Sequence, residues 1–271
     1  MKSLVLNAET SMPILGFGTW QLSGEICHGA VKKALEIGYR HIDTAEMYAN
    51  EEEVGRAISE SGVQRGDIFL TSKVWHANLR RDDLFDSFEE SLKKLKTDYL
   101  DLYLIHWPNR EIPVSETLSA MKELKDRGRI KALGVANFTI GHLEEALKTG
   151  VEITNNQVEL HPTLNQKELK EFCAQKGITM TAYSPLGRGV ELKNPAVLEI
   201  AQKRGRSPAQ VLINWLLGQN IAAIPRSKDP GHIEDNFKAV EWGLNEEDMA
   251  KLGKIGGKER VVNPPHAEFD E

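Results

Sequence analysis

The chain has 271 residues, 40% hydrophobic and 27% charged, an ordinary globular composition with room for one large core or two small domains. Its formal net charge of -6 argues against a general nucleic-acid or anionic-membrane binder, although a local basic cluster could still hold a phosphate. Cys27 and Cys173 fall in helical segments without a CxxC and read as reduced core thiols. The start MKSLVLNAET is too weakly apolar for a signal peptide and no apolar run reaches membrane-spanning length, so the expectation is a soluble, cytoplasmic protein.

The predicted elements begin with a small hairpin over SLVLNAE and MPI. A strand at 14–19, ILGFGT, precedes a helix at 25–38. Strand 40–43 runs into a loop carrying Tyr48, then a helix at 50–62, where Asn50 and Glu53 have capping-box spacing and Gly62 ends the run. The apolar strand 67–73 turns polar at Lys73. Leu84, Phe85, Phe88, Leu92 and Leu95 give a helix at 82–95 one apolar face. Strand 99–106, YLDLYLIH, leads to a helix between Pro113 and Gly128. Strand 130–137, helix 142–150 and strand 154–160 follow. Asn165 and Glu168 predict the cap of a helix that Gly177 ends, and strand 178–184 comes next. Ser207, Pro208 and Gln210 start the helix AQVLINWLLG. The last strand is 221–227, and Asp229-Pro230 opens a helix through Phe237.

Eight strands alternating with helices predict parallel pairing by crossovers. The fold class is therefore α/β, a (β/α)8 TIM barrel with a short N-terminal β-hairpin, as one domain over residues 1–271. The rival is a doubly wound open sheet, but GFGTWQ lacks the third glycine of that fold's fingerprint.

In such barrels the chemistry sits at the carboxyl ends of the strands. Those ends carry Gly18-Thr19-Trp20, Asp43, Lys73, His106-Trp107, Asn137, Gln157, Tyr183-Ser184 and Arg226-Ser227-Lys228. Singly, each has a plain explanation: Asp43 as a turn cap, His106 as a satisfied core histidine, Tyr48 as a rim aromatic with a wet hydroxyl. The second, third and fourth strands are expected neighbours, however, so Asp43, Lys73 and His106 converge with Tyr48 above them. A buried lysine needs an anion, which Asp43 supplies. An ammonium beside a phenol favours phenolate, so Tyr48 is expected to titrate below its usual value of about 10 and to protonate a carbonyl oxygen that His106 holds. There is no activated Ser or Cys and no internal source of electrons, so reduction implies a hydride-donating cofactor.

The motifs GFGTW, YRHIDTAEMYANEEEVG, LTSKVW, DYLDLYLIHWP, GVANF, NNQVELHP, AYSPLGRG, IPRSKDPGHIEDNF and a late NPP together resemble the aldo-keto reductases from about residue 4 to residue 269. The nearest look is to prokaryotic members acting on 2,5-diketo-D-gluconate, methylglyoxal and other small carbonyls. The resemblance implies a catalytic set of Asp43, Tyr48, Lys73 and His106. It implies cofactor contacts from Gly18, Thr19, Trp20, Asp43, Asn137, Gln157, Tyr183, Ser184 and Leu186, with Tyr183 under the nicotinamide. At the adenine end it implies Arg226, Ser227, Lys228, His232, Asp235 and Asn236. Ala136 stands where the family has serine.

Trp20, Met47, Tyr48, Trp75, His106 and Trp107 are expected around the substrate. Cations before a helix start suit a 2′-phosphate, so NADPH is expected, while His232 in place of a common arginine admits NADH as well. The short tail RVVNPPHAEFDE leaves little chain to close the pocket, which predicts promiscuity. A small-molecule carbonyl substrate, a monomer, and no nucleic-acid or membrane partner complete the expectation. Two alternatives stand beside this reading. A metal-dependent hydrolase built on His41, His106 and His161 lacks an H-x-H pair after a strand. Against a redox-sensing nucleotide-binding module with little turnover stands the intact Asp43, Tyr48, Lys73 and His106 set.

Overall fold

In the computed structural model, which describes residues 1–269, the chain begins with an antiparallel hairpin of β1 (Ser3–Asn7) and β2 (Thr10–Pro13). Asp270 and Glu271, the end of the RVVNPPHAEFDE tail, lie outside the described residues. In β1, Leu4 and Leu6 are buried while Ser3 and Val5 face out, the period of a strand with one covered face.

The strands β3 (Phe17–Gly18), β4 (His41–Asp43), β5 (Phe69–Val74), β6 (Leu100–Ile105), β7 (Ile130–Ala136), β8 (Asn155–Glu159), β9 (Thr179–Tyr183) and β10 (Ala222–Ala223) form one eight-stranded sheet in chain order, every pair parallel. Hydrogen bonds from Gly16 N to Ala223 O (2.9 Å), Ala223 N to Ile14 O (3.0 Å) and Gly18 N to Pro225 O (3.1 Å) join the first strand to the last and close the barrel. Asn7 Nδ2 donates to Lys131 O at the start of β7, so the hairpin sits at the end opposite the strand termini. The expected barrel with its hairpin is thus the fold present. The outer strands are shorter than predicted because Thr19, Trp20, Ile224, Pro225 and Arg226, read as strand ends or their neighbours, turn away to line a cleft.

Around the sheet run α1 (Gly24–Ile37), α2 (Glu51–Glu60), α3 (Arg81–Leu95), α4 (Val114–Asp126), α5 (Ile140–Leu147), α6 (Lys167–Gln175), α7 (Pro195–Arg204), α8 (Pro208–Gly218), α9 (Pro230–Phe237) and α10 (Glu246–Gly253). Ser207 and Asp229 cap α8 and α9 as expected, accepting from Gln210 N (3.1 Å) and His232 N (2.9 Å). Asn50 does not cap α2. Its amide donates to Thr19 O (2.9 Å) and Leu22 O (2.8 Å) and accepts from Thr44 Oγ1 (2.8 Å), tying the loops after β3 and β4 together. Asn165 likewise leaves α6 uncapped and donates to Gly253 O. Cys27 and Cys173 are buried and unlinked, and burial pushes their thiols up to about 12 and about 11. Among the described residues no helix is long and apolar enough to cross a membrane.

Helix α2 crosses the end of α3 at Gly55. A Cβ there would stand 2.4 Å from Lys94 O and 2.6 Å from Leu95 C. Alanine in a helix interior ordinarily gains about 0.5–1 kcal/mol over glycine. At this position the clash is with backbone, and Gly55→Ala is expected to destabilise by about 1–3 kcal/mol. Urea denaturation checks this, and a raised midpoint would contradict the close approach.

Candidate active site

Register brings the expected residues to one rim. Asp43 pairs with Thr71 across β4 and β5, Lys73 with Leu104 across β5 and β6, and His106 N continues the ladder to Val74 O (3.0 Å). Tyr48 ends a 3-10 turn, Glu46–Tyr48. The Glu46 carboxylate accepts from Trp75 N (2.9 Å) and from Asn78 Nδ2, which pins that turn to the segment after β5 and holds Tyr48 over Lys73.

Lys73 is fully buried. Its Nζ donates to Asp43 Oδ1 (2.6 Å), Thr44 O (2.7 Å) and Tyr48 Oη (3.3 Å), acceptors that match the three N–H groups of an ammonium. Asp43 Oδ2 accepts from Gln157 Nε2 (2.7 Å). Burial pushes Lys73 down while Asp43 pulls it up, and burial has the larger effect.

The expectation that Tyr48 titrates below its usual value is overturned. Burial pushes the phenol well above that value, and Asp43 adds to the rise. The ammonium's charge is already matched by Asp43 at 2.6 Å, nearer than the phenol at 3.3 Å, so desolvation decides the sign. Tyr48 is therefore protonated at neutral pH. Because its oxygen accepts from Lys73, its own O–H remains to donate.

His106 is buried, and burial first, then Lys73, His266 and His76, holds it well below the ordinary imidazole range. It is a neutral ring with one N–H to give, set edge-on to Tyr48 with centroids 5.5 Å apart.

These groups open on a cleft of about 680 Å³. Its walls include the expected Gly18, Thr19, Trp20, Asp43, Met47, Tyr48, His106, Trp107, Asn137, Gln157, Tyr183, Ser184, Leu186 and Arg226. Lys73 lies beneath the wall. Trp75 stands behind it, edge-on to His106 (5.5 Å) and His266 (5.0 Å). Asn137 takes left-handed backbone (φ 63), and its amide is fixed by His106 O (2.9 Å) and Tyr183 Oη (2.8 Å).

The adenine-end residues other than Arg226 lie outside the cleft. Lys228 and His232 are exposed, Asn236 is buried, and Ser227 Oγ accepts from Asp229 N (3.0 Å). The carboxylate of Asp235 is taken by Ser207 Oγ (2.5 Å) and Gln210 Nε2 (2.6 Å), so it braces the start of α8.

Arg188 and Gly189, of the SPLGRG segment that the family resemblance lays over a pyrophosphate, line the cleft too, and the structure adds walls that sequence reading passed over: Gln21, Ile224 and Pro225. It also corrects the expectation of an open mouth. Val261, Val262, Asn263, Pro264 and His266 of the tail line the cleft as well. Glu159 grips the tail through Val261 N (2.7 Å) and Val262 N (3.0 Å), and Phe269 packs on Trp107 (5.6 Å). The NPP motif marked family likeness, but nothing local told where it docks. The three histidines of the alternative metal set are separated. His41 pairs with Pro13 O and Thr71 Oγ1, His161 lies between Glu159 and Glu191, and His106 alone of the three faces the cleft.

The donor set facing the cleft fits a dinucleotide. The Asn137 and Gln157 amides and the Tyr183 ring suit a planar polar head, and the Arg188 and Arg226 guanidinium groups suit anionic oxygens. A half-buried proton donor at the strand-end rim of a barrel, beside such a cleft, is the arrangement an oxidoreductase acting on carbonyls needs. Comparison with known sequences narrows the class. The model of the Aldo/keto reductase family matches residues 14–256, and the chain belongs to that family. It is 41% identical over 258 residues to the methylglyoxal reductase DkgB of Yersinia pestis, covering 94% of this chain and 97% of that one. It is 42% identical over 267 residues to the glyoxal reductase of Bacillus subtilis (strain 168), covering 97% and 96%. The solved aldose reductase of Schistosoma japonicum superposes with a TM-score of 0.94 at 35% identity, over 100% of this chain and 99% of that one.

Proposed function

We propose that the protein, acting as one barrel domain, reduces small aldehydes and ketones such as methylglyoxal or diketogluconate to alcohols, with NADPH preferred and NADH accepted. The observation that carries this reading is Lys73 Nζ donating to Tyr48 Oη at 3.3 Å while paired with Asp43 at 2.6 Å. The relatives named for methylglyoxal and glyoxal support a small carbonyl.

Asn137, Gln157 and Tyr183 would hold the nicotinamide, Arg188 would meet the phosphates, and Arg226, Ser227 and Lys228 would meet a 2′-phosphate. When bound, the cofactor supplies a hydride from nicotinamide C4 to the carbonyl carbon. The N–H of His106 and the O–H of Tyr48 orient the carbonyl oxygen. Tyr48 gives up its proton as that oxygen gains charge, and the N–H of Lys73 stabilises the phenolate left behind. A panel of carbonyls at fixed NADPH, ranked by kcat/KM, tests the reading. Tight nucleotide binding without turnover on any of them would overturn it.

The nucleotide preference has its own test. The exposed Arg226 is held by Gln21 Oε1 (3.0 Å), while the exposed His232 offers an imidazole where an arginine would present a forked guanidinium to a phosphate. NADPH is expected to lead in kcat/KM at pH 7, with NADH measurable. Exposed charge contacts contribute up to about 1 kcal/mol, so His232→Arg is expected to tighten NADPH by up to about fivefold and NADH by less. Equal tightening of both nucleotides would place the 2′-phosphate elsewhere.

A further inference from the structure

Behind the nicotinamide end lies a buried charged chain that the proposed reaction does not use. Glu159, His161 and Glu191 are each at most 1% exposed. His161 Nε2 meets Glu159 Oε1 at 3.0 Å, and Nδ1 meets Glu191 Oε1 at 2.9 Å. Each carboxylate also holds backbone. Glu159 accepts from Val261 N and Val262 N, and Glu191 accepts from Thr163 N (2.9 Å) and Thr163 Oγ1.

The two carboxylates hold two different segments that line the cleft. Val261 and Val262 line it from the C-terminal tail. Glu191 opens the turn Glu191–Lys193, just after the segment whose Ser184, Leu186, Arg188 and Gly189 line it too. That segment is strained at two non-glycine residues in left-handed backbone, Ser184 (φ 46) and Arg188 (φ 52). The Glu191 stem runs so close to Gly187 that a Cβ there would lie 2.7 Å from Glu191 Cγ. Arg188 then reaches across to Trp20, its guanidinium 4.6 Å from the ring centroid. A strained loop bridging a cleft needs an anchor, and the Glu191 carboxylate supplies one at its far end.

We propose that His161 is a positioning residue, a clasp joining the loop 184–193 to the tail at 261–262, and that the clasp holds only while both ring nitrogens carry protons. A neutral ring would turn a lone pair toward one buried carboxylate and lose that bond. Burial works against the charged ring, but the hydrogen bonds to Glu159 and Glu191 outweigh it and raise His161 above its ordinary value. Burial likewise works against the charged Glu191, but the hydrogen bonds from His161 and Thr163 together outweigh it and lower its titration. The charged groups acting on His161 are Glu159 and Glu191, and Glu159 in turn is felt by Arg260 from the tail and Tyr183 from β9. A raised imidazole stabilises the clasp fully below the ordinary value of about 6.5, and the contribution disappears as the pH rises through the raised value.

The inference rests on the cleft binding a nucleotide only where release is concerned, so two measurements on the full chain separate the claims. Hydrogen exchange without ligand, corrected for the intrinsic rate, is expected to show 184–193 and 261–262 loosening together at alkaline pH. In His161→Gln both segments should be loose at every pH. Glu191→Gln keeps an acceptor while removing a charge, and should move the opening midpoint down by about one pH unit or more. Stopped-flow release of NADPH should be about tenfold faster in His161→Gln at pH 6, the loss of one charged hydrogen bond, and no longer vary with pH. Segments that loosen independently, or a midpoint that Glu191→Gln leaves in place, would overturn the clasp. Coupled loosening in a chain that binds no NADPH would sink the proposed function and leave the clasp standing.

Discussion

Tyr48→Phe is expected to lower kcat for carbonyl reduction by about two to four orders of magnitude, the range for losing a positioned general acid. NADPH affinity should be nearly unchanged. The variant should also fold, because the substitution removes one oxygen and little else. Lys73 keeps Asp43 and Thr44 O as acceptors, and the ring keeps its edge contact with His106 and its place 4.8 Å from the Lys73 ammonium. Steady-state NADPH oxidation beside a fluorescence titration of nucleotide binding measures both halves. A variant with near-normal turnover would show that another group delivers the proton. The wild-type pH profile adds a check on sign. The acid must be protonated to act, and burial raises its titration, so kcat for reduction should stay flat from about pH 6 to 9 and fall only above the ordinary tyrosine value of about 10.

What sequence could and could not reveal follows from the range of each interaction. In a barrel, consecutive strands are neighbours, so Asp43, Lys73 and His106 at successive strand ends had to meet, and they do. The sign of Tyr48's titration is set by the desolvation of the phenol in the folded rim, with Asp43 adding to it, and no spacing in the chain encodes that. Asn50 shows the ambiguity of residue type. The amide that caps helices elsewhere here crosslinks two loops, and the difference lies in partners at Thr19 and Leu22. The docking of the tail was hidden for the same reason, since its anchor, Glu159, sits at the end of a strand far earlier in the chain. Helices α7 and α10 lie outside the eight regular units, yet Asn194 and Asn245 cap them through Ala196 N and Asp248 N (both 3.0 Å), a signal local enough to be legible in the sequence.

Lys73→Met is expected to lose both catalysis and stability, and the two losses can be separated. Asp43 is 1% exposed and has Lys73 on one oxygen and Gln157 on the other. Removing the ammonium leaves a buried carboxylate with an amide as its remaining side-chain partner. Stranding one member of a buried ion pair costs about 3–5 kcal/mol, which in a chain of this size lowers Tm on the order of ten degrees. The kcat should fall by about a hundredfold or more, because no positive charge remains to stabilise the phenolate. Adding Asp43→Asn removes the stranded charge while keeping the side chain's shape and its bond to Gln157. The double variant should therefore regain most of the Tm yet stay catalytically impaired, a non-additive pair in stability. If the double variant were no more stable than Lys73→Met alone, burial of methionine in the ammonium's place, rather than the orphaned carboxylate, would account for the loss. If instead Lys73→Met kept both its Tm and its turnover, the ion pair would be neither what steadies this rim nor what prepares Tyr48 to give up a proton.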